Sequence, residues 1–314
     1  MCTCNGEPFI EKMLRSILDQ EVPPVEVVIF DDASEDNTVN ILERMAKTTG
    51  IPVIVTVNES RLGVTRNFEV ALQACSGDFV ALADQDDQWY PDKLKRVSAQ
   101  IERNSTRVPT VYLSDLDLVD ESGVSLGKTF FQTGKQRKAP EGMWQQLLVR
   151  NNYPGCSLVF DRRILELALP FPSAAIMHDW WIMLLFSLIG NTVALKSPAM
   201  CYRVHSDNVK GVGSLSKSFS ATLSSGLLRT GAGNVSAVIR QGEIAAARVE
   251  SAGLKIPARM RLLLDSFDHS RLSRILPLLR SGVFFDRPRW ESTLFIFSLL
   301  ISKKCVRDGG GHYT

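Results

Sequence analysis

The sequence has no C-x-x-C pair. Its six cysteines (Cys2, Cys4, Cys75, Cys156, Cys201 and Cys305) are scattered, and no second Cys/His pair completes a zinc set around Cys2 and Cys4. No secretory leader pattern opens the chain, so the thiols are expected to be reduced and the protein cytoplasmic. No apolar run reaches the roughly 18–20 residues of a membrane span. The longest runs, "WWIMLLFSLIG" (180–190) and "TLFIFSLLI" (293–301), suit buried or surface-lying helices. Internal repeats and long low-complexity segments are absent. So is the Gly-rich, Arg/Lys-bearing loop of a nucleotidyltransferase, since "TCNGEPF" stands where it belongs. A net charge of +2 gives no sign of a nucleic-acid partner, and none is expected.

What is present describes a globular chain: 314 residues, 45% hydrophobic and 22% charged, long enough for a substantial core. Charge is uneven. From Ser251 to Thr314 eleven Lys/Arg stand against five Asp/Glu, a local +6, which leaves −4 for residues 1–250.

The first eighty residues alternate between two periods. In "EPFIEKMLRSILDQ", Phe9, Ile10, Met13, Leu14, Ile17 and Leu18 recur at helical spacing. "VEVVIF" (25–30), "IPVIVTV" (51–57) and "DFVALA" (78–83) are short apolar runs that read as buried strands. "NTVNILERMAK" and the Phe68, Ala71, Leu72, Cys75 series predict the helices between them. This alternation predicts βαβ units, a parallel sheet and ligand binding at the carboxyl ends of its strands. Further on, "TVYLSDLDLVDESG" (110–123) predicts a strand and hairpin. "NNYPGCSLVFD" (151–161) predicts a loop entering a strand, and "HDWWIMLLFSLIG" (178–190) a helix with Asp179 as N-cap. Beyond about residue 210 strand signals end, so residues 1–210 are expected to form one domain and 211–314 a helical C-terminal region.

Two acidic loops follow strands. "DQDD" sets Asp84, Asp86 and Asp87 within four positions, crowding that a hard divalent cation would relieve. Without one, Asp87 or Asp92 simply starts the "PDKL" helix. At "DDAS", Asp31 and Asp32 either form an Asx-type turn or accept a hydrogen bond from a nucleobase.

In order and spacing, "TCNGEPFIEKMLRSILDQ", "VVIFDDASEDNT", "RLGVTRNFEVALQACSGDFVALADQDD" and "HDWW" resemble the family 2 glycosyltransferases of GT-A fold over roughly residues 3–210. With "YRVHSDNVKG", the set looks like the bacterial rhamnosyltransferase branch. The resemblance implies an α/β, Rossmann-like, mostly parallel sheet flanked by helices, and a nucleotide-sugar donor (dTDP-L-rhamnose, or otherwise a UDP- or GDP-sugar). It also implies Mn²⁺ or Mg²⁺ and inverting transfer to a glycan or lipid-linked oligosaccharide in O-antigen or capsule synthesis. Position by position, Thr3 and Asn5 look like first-loop donor contacts, Asp32 like the base-binding carboxylate and Arg66 like a nucleotide contact. Asp84 resembles the ribose contact, Asp86 and His205 metal ligands, and Asp179 the catalytic base. Gly155 is expected to let a sugar approach the backbone.

Two departures stand out. Cys4 replaces an aromatic common in relatives. The chain also opens at Met1, where the family places an apolar strand, so a misplaced start or a truncation is expected. The rival function is accordingly a catalytically inactive nucleotide-sugar-binding protein. The tail interleaves Arg259, Arg261, Arg271, Arg274 and Arg280 with Leu and Ile, a pattern that suits the anionic cytoplasmic face of the inner membrane.

Overall fold

The structure, a computed structural model, describes residues 1–104, 107–133, 143–148, 150–204 and 227–266. The first βαβ pattern forms as its periodicity predicts. Helix α1 (Glu7–Leu18) buries Ile10, Met13, Leu14 and Ile17, and Pro8 lies in its first turn, where a missing N–H is harmless. Strands β1 (Cys2–Thr3), β2 (Val27–Asp31) and β3 (Val53–Val57) pair in parallel in that order, with α1 and α2 (Thr38–Ala46) as the crossovers. Ahead of β1, the Met1 amino group donates to Val28 O (2.7 Å).

Helix α3 (Val64–Ala74) leads to β4 (Phe79–Ala81), which the alternation places in the same parallel set. Instead β4 runs antiparallel to β8 (Leu158–Asp161) in a second, mixed sheet. Its order is β4-β8-β6-β9-β5, with β5 (Gln88–Trp89), β6 (Thr110–Val119) and β9 (Asn191–Arg203); β7 (Ser125–Thr129) forms a hairpin on β6. A short apolar run marks a buried strand but carries no information about the direction of a distant partner. Strand β9 gives almost no sequence signal, because Pro198 interrupts it. The β6–β9 register shifts around Asp115, which lies opposite Pro198, so an irregularity in the ladder absorbs the missing N–H.

The remaining helices of the first 210 residues are α4 (Lys93–Arg103), α5 (Met143–Leu147), α6 (Leu165–Ala168) and α7 (His178–Ile189). Helix α7 is apolar on all sides and accordingly central: every residue from His178 to Phe186 is buried. Trp180 and Trp181 are core residues whose indole N–H groups donate to Leu147 O and Ala168 O.

Beyond residue 210, α8 (Leu227–Ser251) places Val238, Ala245 and Val249 in the same core as Trp181 and Phe186. Helix α9 (Ala258–Ser266) packs Met260, Leu263 and Leu264 against Trp144 and Leu148. Over its described part this region is therefore built onto the first 210 residues rather than trailing from them. Among the described residues no helix is long and apolar enough to cross a membrane. Arg259 and Arg261 lie in α9; the basic residues beyond Ser266 fall outside the described residues.

Candidate active site

The loops after β1, β2 and β3 meet at one rim. Asp31 is fully buried. It accepts from Ser34 N–H (2.8 Å), Ser34 Oγ (2.6 Å) and Thr3 Oγ1 (2.7 Å), which makes it the framework of the turn. Asp32 accepts from Leu62 N–H (2.6 Å), Gly63 N–H (2.9 Å) and Asn58 Nδ2 (3.0 Å). A carboxylate has about four lone-pair sites, so these bonds orient Asp32 and leave it room for a further donor. Asn5 N–H donates to Ser34 Oγ, and Asn5 Oδ1 accepts from Glu35 N–H (both 2.8 Å). The two turns are tight: Asn5 (φ 50°) and Ala33 (φ 55°) both occupy the left-handed region. In this structure the Thr3 hydroxyl and the Asn5 amide oxygen thus join protein loops. Arg66 is half-exposed and pairs with the buried Glu69 carboxylate.

The "DQDD" loop reaches the same rim through Gln85. Its Oε1 accepts from Cys4 N–H (2.8 Å) and its Nε2 donates to Cys4 O (3.1 Å). A side chain on Gly6 would collide with Gln85, so the contact depends on that glycine. Sequence reasoning passed over Gln85, because a glutamine between aspartates gives no signal of a bridging role. The half-buried Cys2 thiol is pushed up to about 12, mainly by desolvation, and both Asp84 and Asp32 add to the rise.

Oxygens of Asp84 and Asp87 and the Cys156 sulfur lie within 4.8 Å of one another. Two carboxylate charges at that spacing repel by about 3 kcal/mol at an effective dielectric near 20. Protonation is one relief: burial, then Asp86, then Asp179 raise Asp84 to about 7, and burial pushes Asp87 well above the usual carboxylate range. The second relief is a resident cation. Lys93 is fully buried; its Nζ donates to Cys156 O (2.9 Å) and sits 3.9 Å from the centroid of the Trp89 ring. Burial lowers Lys93 to about 8, against the pull of Cys156, Asp87 and Asp84 toward its charged form. Its place in "PDKL" suggested a helix start, and nothing in that pattern marks a buried lysine.

The donor chemistry fits a hard divalent ion. Asp87 Oδ2 is buried and finds no hydrogen-bond partner among the described residues. The Cys156 thiol is held far above its usual range by burial and the two carboxylates, while those carboxylates offer the oxygen donors that a hard ion prefers. Asp86, the ligand expected from the resemblance, stands outside the converging group. It acts on it by charge, and its carbonyl oxygen accepts from Arg203 Nε (2.9 Å). Arg203 N–H also donates to Asp87 Oδ1 (3.2 Å), fastening the loop to the end of β9. His205 lies outside the described residues.

Asp179, in α7, acts by charge on Asp84. It occupies the first turn rather than the N-cap, which is Met177, and its Oδ1 accepts from Trp180 N–H (2.6 Å). Gly155 explains the close approach: a Cβ there would stand 3.3 Å from Asp179 Cβ and 3.1 Å from His178 Nε2. The side of Gly155 where a Cβ would stand therefore faces the first turn of α7. Asp32 and Asp84 are thus linked through Cys4–Gln85, and Asp84 and Asp179 through Cys156–Gly155.

His178 is buried, stacked on Phe68 (3.7 Å between centroids), and neither ring nitrogen has a hydrogen-bond partner among the described residues. Burial, then the terminal ammonium, lowers it from 6.5 to about 3. Between those values the unfolded chain binds a proton that the folded state refuses. The stabilisation is therefore complete above the unfolded pKa and declines as pH falls through that window. Urea unfolding is expected to show about 2 kcal/mol lost from this group between pH 7 and pH 5. His178→Phe should lose correspondingly less, and equal losses would show that the histidine is not the source.

Comparison with known proteins agrees with this geometry. Residues 1–162 match the protein family described as Glycosyl transferase family 2. The dTDP-rhamnosyl transferase RfbG of Shigella flexneri is 27% identical over 229 residues, 67% of this chain and 73% of that protein. TuaG of Bacillus subtilis, named for teichuronic acid biosynthesis, is 30% identical over 58% of this chain and 68% of its own length. Among solved structures, S. aureus TarS 1–349 in complex with UDP aligns at a TM-score of 0.53 and 18% identity, over 95% of this chain and 88% of that one. The fold is the GT-A arrangement that the sequence motifs suggested.

Proposed function

Because this chain belongs to glycosyl transferase family 2, we propose that it is an inverting, metal-dependent enzyme of surface-polysaccharide assembly. In this proposal it moves a sugar from a nucleoside diphosphate to a hydroxyl of a glycan or lipid-linked acceptor. The observation that carries this is the linkage of the Asp32 loop to the Asp84–Asp87 loop through Gln85, and of the latter to Asp179 through Cys156–Gly155. The donor proposed is dTDP-L-rhamnose, on the likeness to RfbG, with UDP- and GDP-sugars as the alternatives.

The roles follow from the chemistry of each group. Asp32, held by Leu62 and Gly63 N–H, presents its remaining acceptor capacity to a base imide, and Arg66 approaches the nucleotide. Asp84 faces the ribose. Asp84 and Asp87, with Asp86 beside them in the loop, would hold Mn²⁺ or Mg²⁺, which when bound would neutralise charge on the leaving diphosphate. Asp179 takes the acceptor proton as the acceptor oxygen bonds to the anomeric carbon. The bond to the diphosphate breaks on the opposite face, so configuration inverts without a covalent enzyme adduct. The place proposed for this reaction is the cytoplasmic face of the inner membrane.

Turnover of dTDP-L-rhamnose, UDP-sugars and GDP-sugars with Mn²⁺ tests the proposal. Release of nucleoside diphosphate from one of them is expected. Binding without release would favour the inactive nucleotide-sugar-binding alternative.

A further inference from the structure

Helix α8 grips the approach to α7 at two points. Gln241 is fully buried, and its Oε1 accepts from Ile176 N–H (2.9 Å), three residues before Asp179. About two turns further along α8, the Arg248 guanidinium donates to Leu167 O (3.0 Å), Ala168 O (2.8 Å) and Pro170 O (2.5 Å). It also lies 5.3 Å from the centroid of the Trp181 ring. Between these points Ala245 packs into the core beside α7. The segment from Leu167 to Met177 is therefore pinned near its start by Arg248 and near its end by Gln241.

That segment determines where α7 begins. Met177 is extended (φ −149°, ψ 150°) and the helix starts at His178, so the path of Ile176 sets the direction of the first turn and of Asp179. A reacting group displaced by about 1 Å loses on the order of 10²-fold in rate. Both clamp residues lie in α8, outside the matched residues 1–162 and outside every motif that carries the family resemblance.

We propose that Gln241 and Arg248 are positioning residues for the transfer reaction. They act by fixing the carboxylate of Asp179 and leave nucleotide binding untouched. This rests on the assignment of Asp179 as the base. The alternative for both residues is a general packing role, which would loosen the donor loops and the base together.

The test uses the full chain with Gln241→Met, which keeps length but offers the Ile176 N–H no acceptor oxygen. Arg248→Gln removes most of the second clamp and serves if the first variant does not fold. Gln241→Glu restores an acceptor oxygen, and burial keeps the introduced carboxyl neutral. The readouts are kcat and KM for the nucleotide sugar turned over fastest among dTDP-L-rhamnose, UDP-sugars and GDP-sugars, and the Kd of dTDP and UDP with Mn²⁺.

For Gln241→Met and Arg248→Gln, kcat is expected to fall at least tenfold while KM and the nucleotide Kd stay within twofold; Gln241→Glu should recover most of the loss. Unchanged kcat, or kcat and Kd worsening together, overturns the inference. Asp179→Asn measured alongside separates the two claims. If it is inactive while the clamp variants keep full kcat, only the clamp inference fails; if it stays active, both fail.

Discussion

Asp179→Asn is expected to lower turnover by about 10²–10⁴-fold while leaving Mn²⁺-dependent nucleotide affinity within about twofold. Asparagine keeps the shape of the side chain and the oxygen that accepts from Trp180 N–H, so the fit against Gly155 survives. What disappears is the proton acceptor. The first turn of α7 suits that function, because unpaired N–H groups at a helix N-terminus favour a carboxylate over its acid by about 0.3–1 kcal/mol. The loss should fall equally on kcat and kcat/KM, as for an interaction made only in the transition state. A variant that retains most of its activity would place the base on another residue.

Asp86→Ala is expected to weaken nucleotide binding in Mn²⁺ by about 100-fold or more, the loss of about 3 kcal/mol of carboxylate–cation attraction. Thermal stability without metal should hold or rise. Asp86 is the second cause, after burial, of the raised proton affinity of both Asp84 and Asp87, so its removal relieves repulsion within the loop. Opposite signs for binding and stability are characteristic of a group retained for ligand rather than for fold. Thermal shift and calorimetry on one preparation give both readouts. A parallel fall in stability and affinity would mean that Asp86 mainly holds the loop together.

Local periodicity was sufficient for the first eighty residues. Ile10, Met13, Leu14 and Ile17 marked α1, and "VVIF" and "VIVTV" marked β2 and β3, because burial against one face dictates both spacings. The direction of β4 was beyond reach, since its partner lies about eighty residues away. Strand β9 was hidden by Pro198. In the site, the acids were legible because clustered charge is unusual behind an apolar strand. The groups that make the cluster tolerable were not: Lys93 sits in an ordinary helix-start motif, and Gln85 and Gln241 are polar residues whose partners are set only by tertiary structure. At Gly155 the sequence pattern predicts a close approach, and His178 and Asp179 are the protein neighbours that make one.

Titration calorimetry of dTDP and UDP into the protein, with Mn²⁺ and then with the metal chelated, bears most directly on the shared cleft. Binding of at least one nucleotide that is strong with Mn²⁺ and weakened at least tenfold by chelation is the expected result. Equal affinity in both conditions, or no binding in either, would contradict a cleft in which the acidic loop and the Asp32 loop hold one nucleoside diphosphate through a divalent ion.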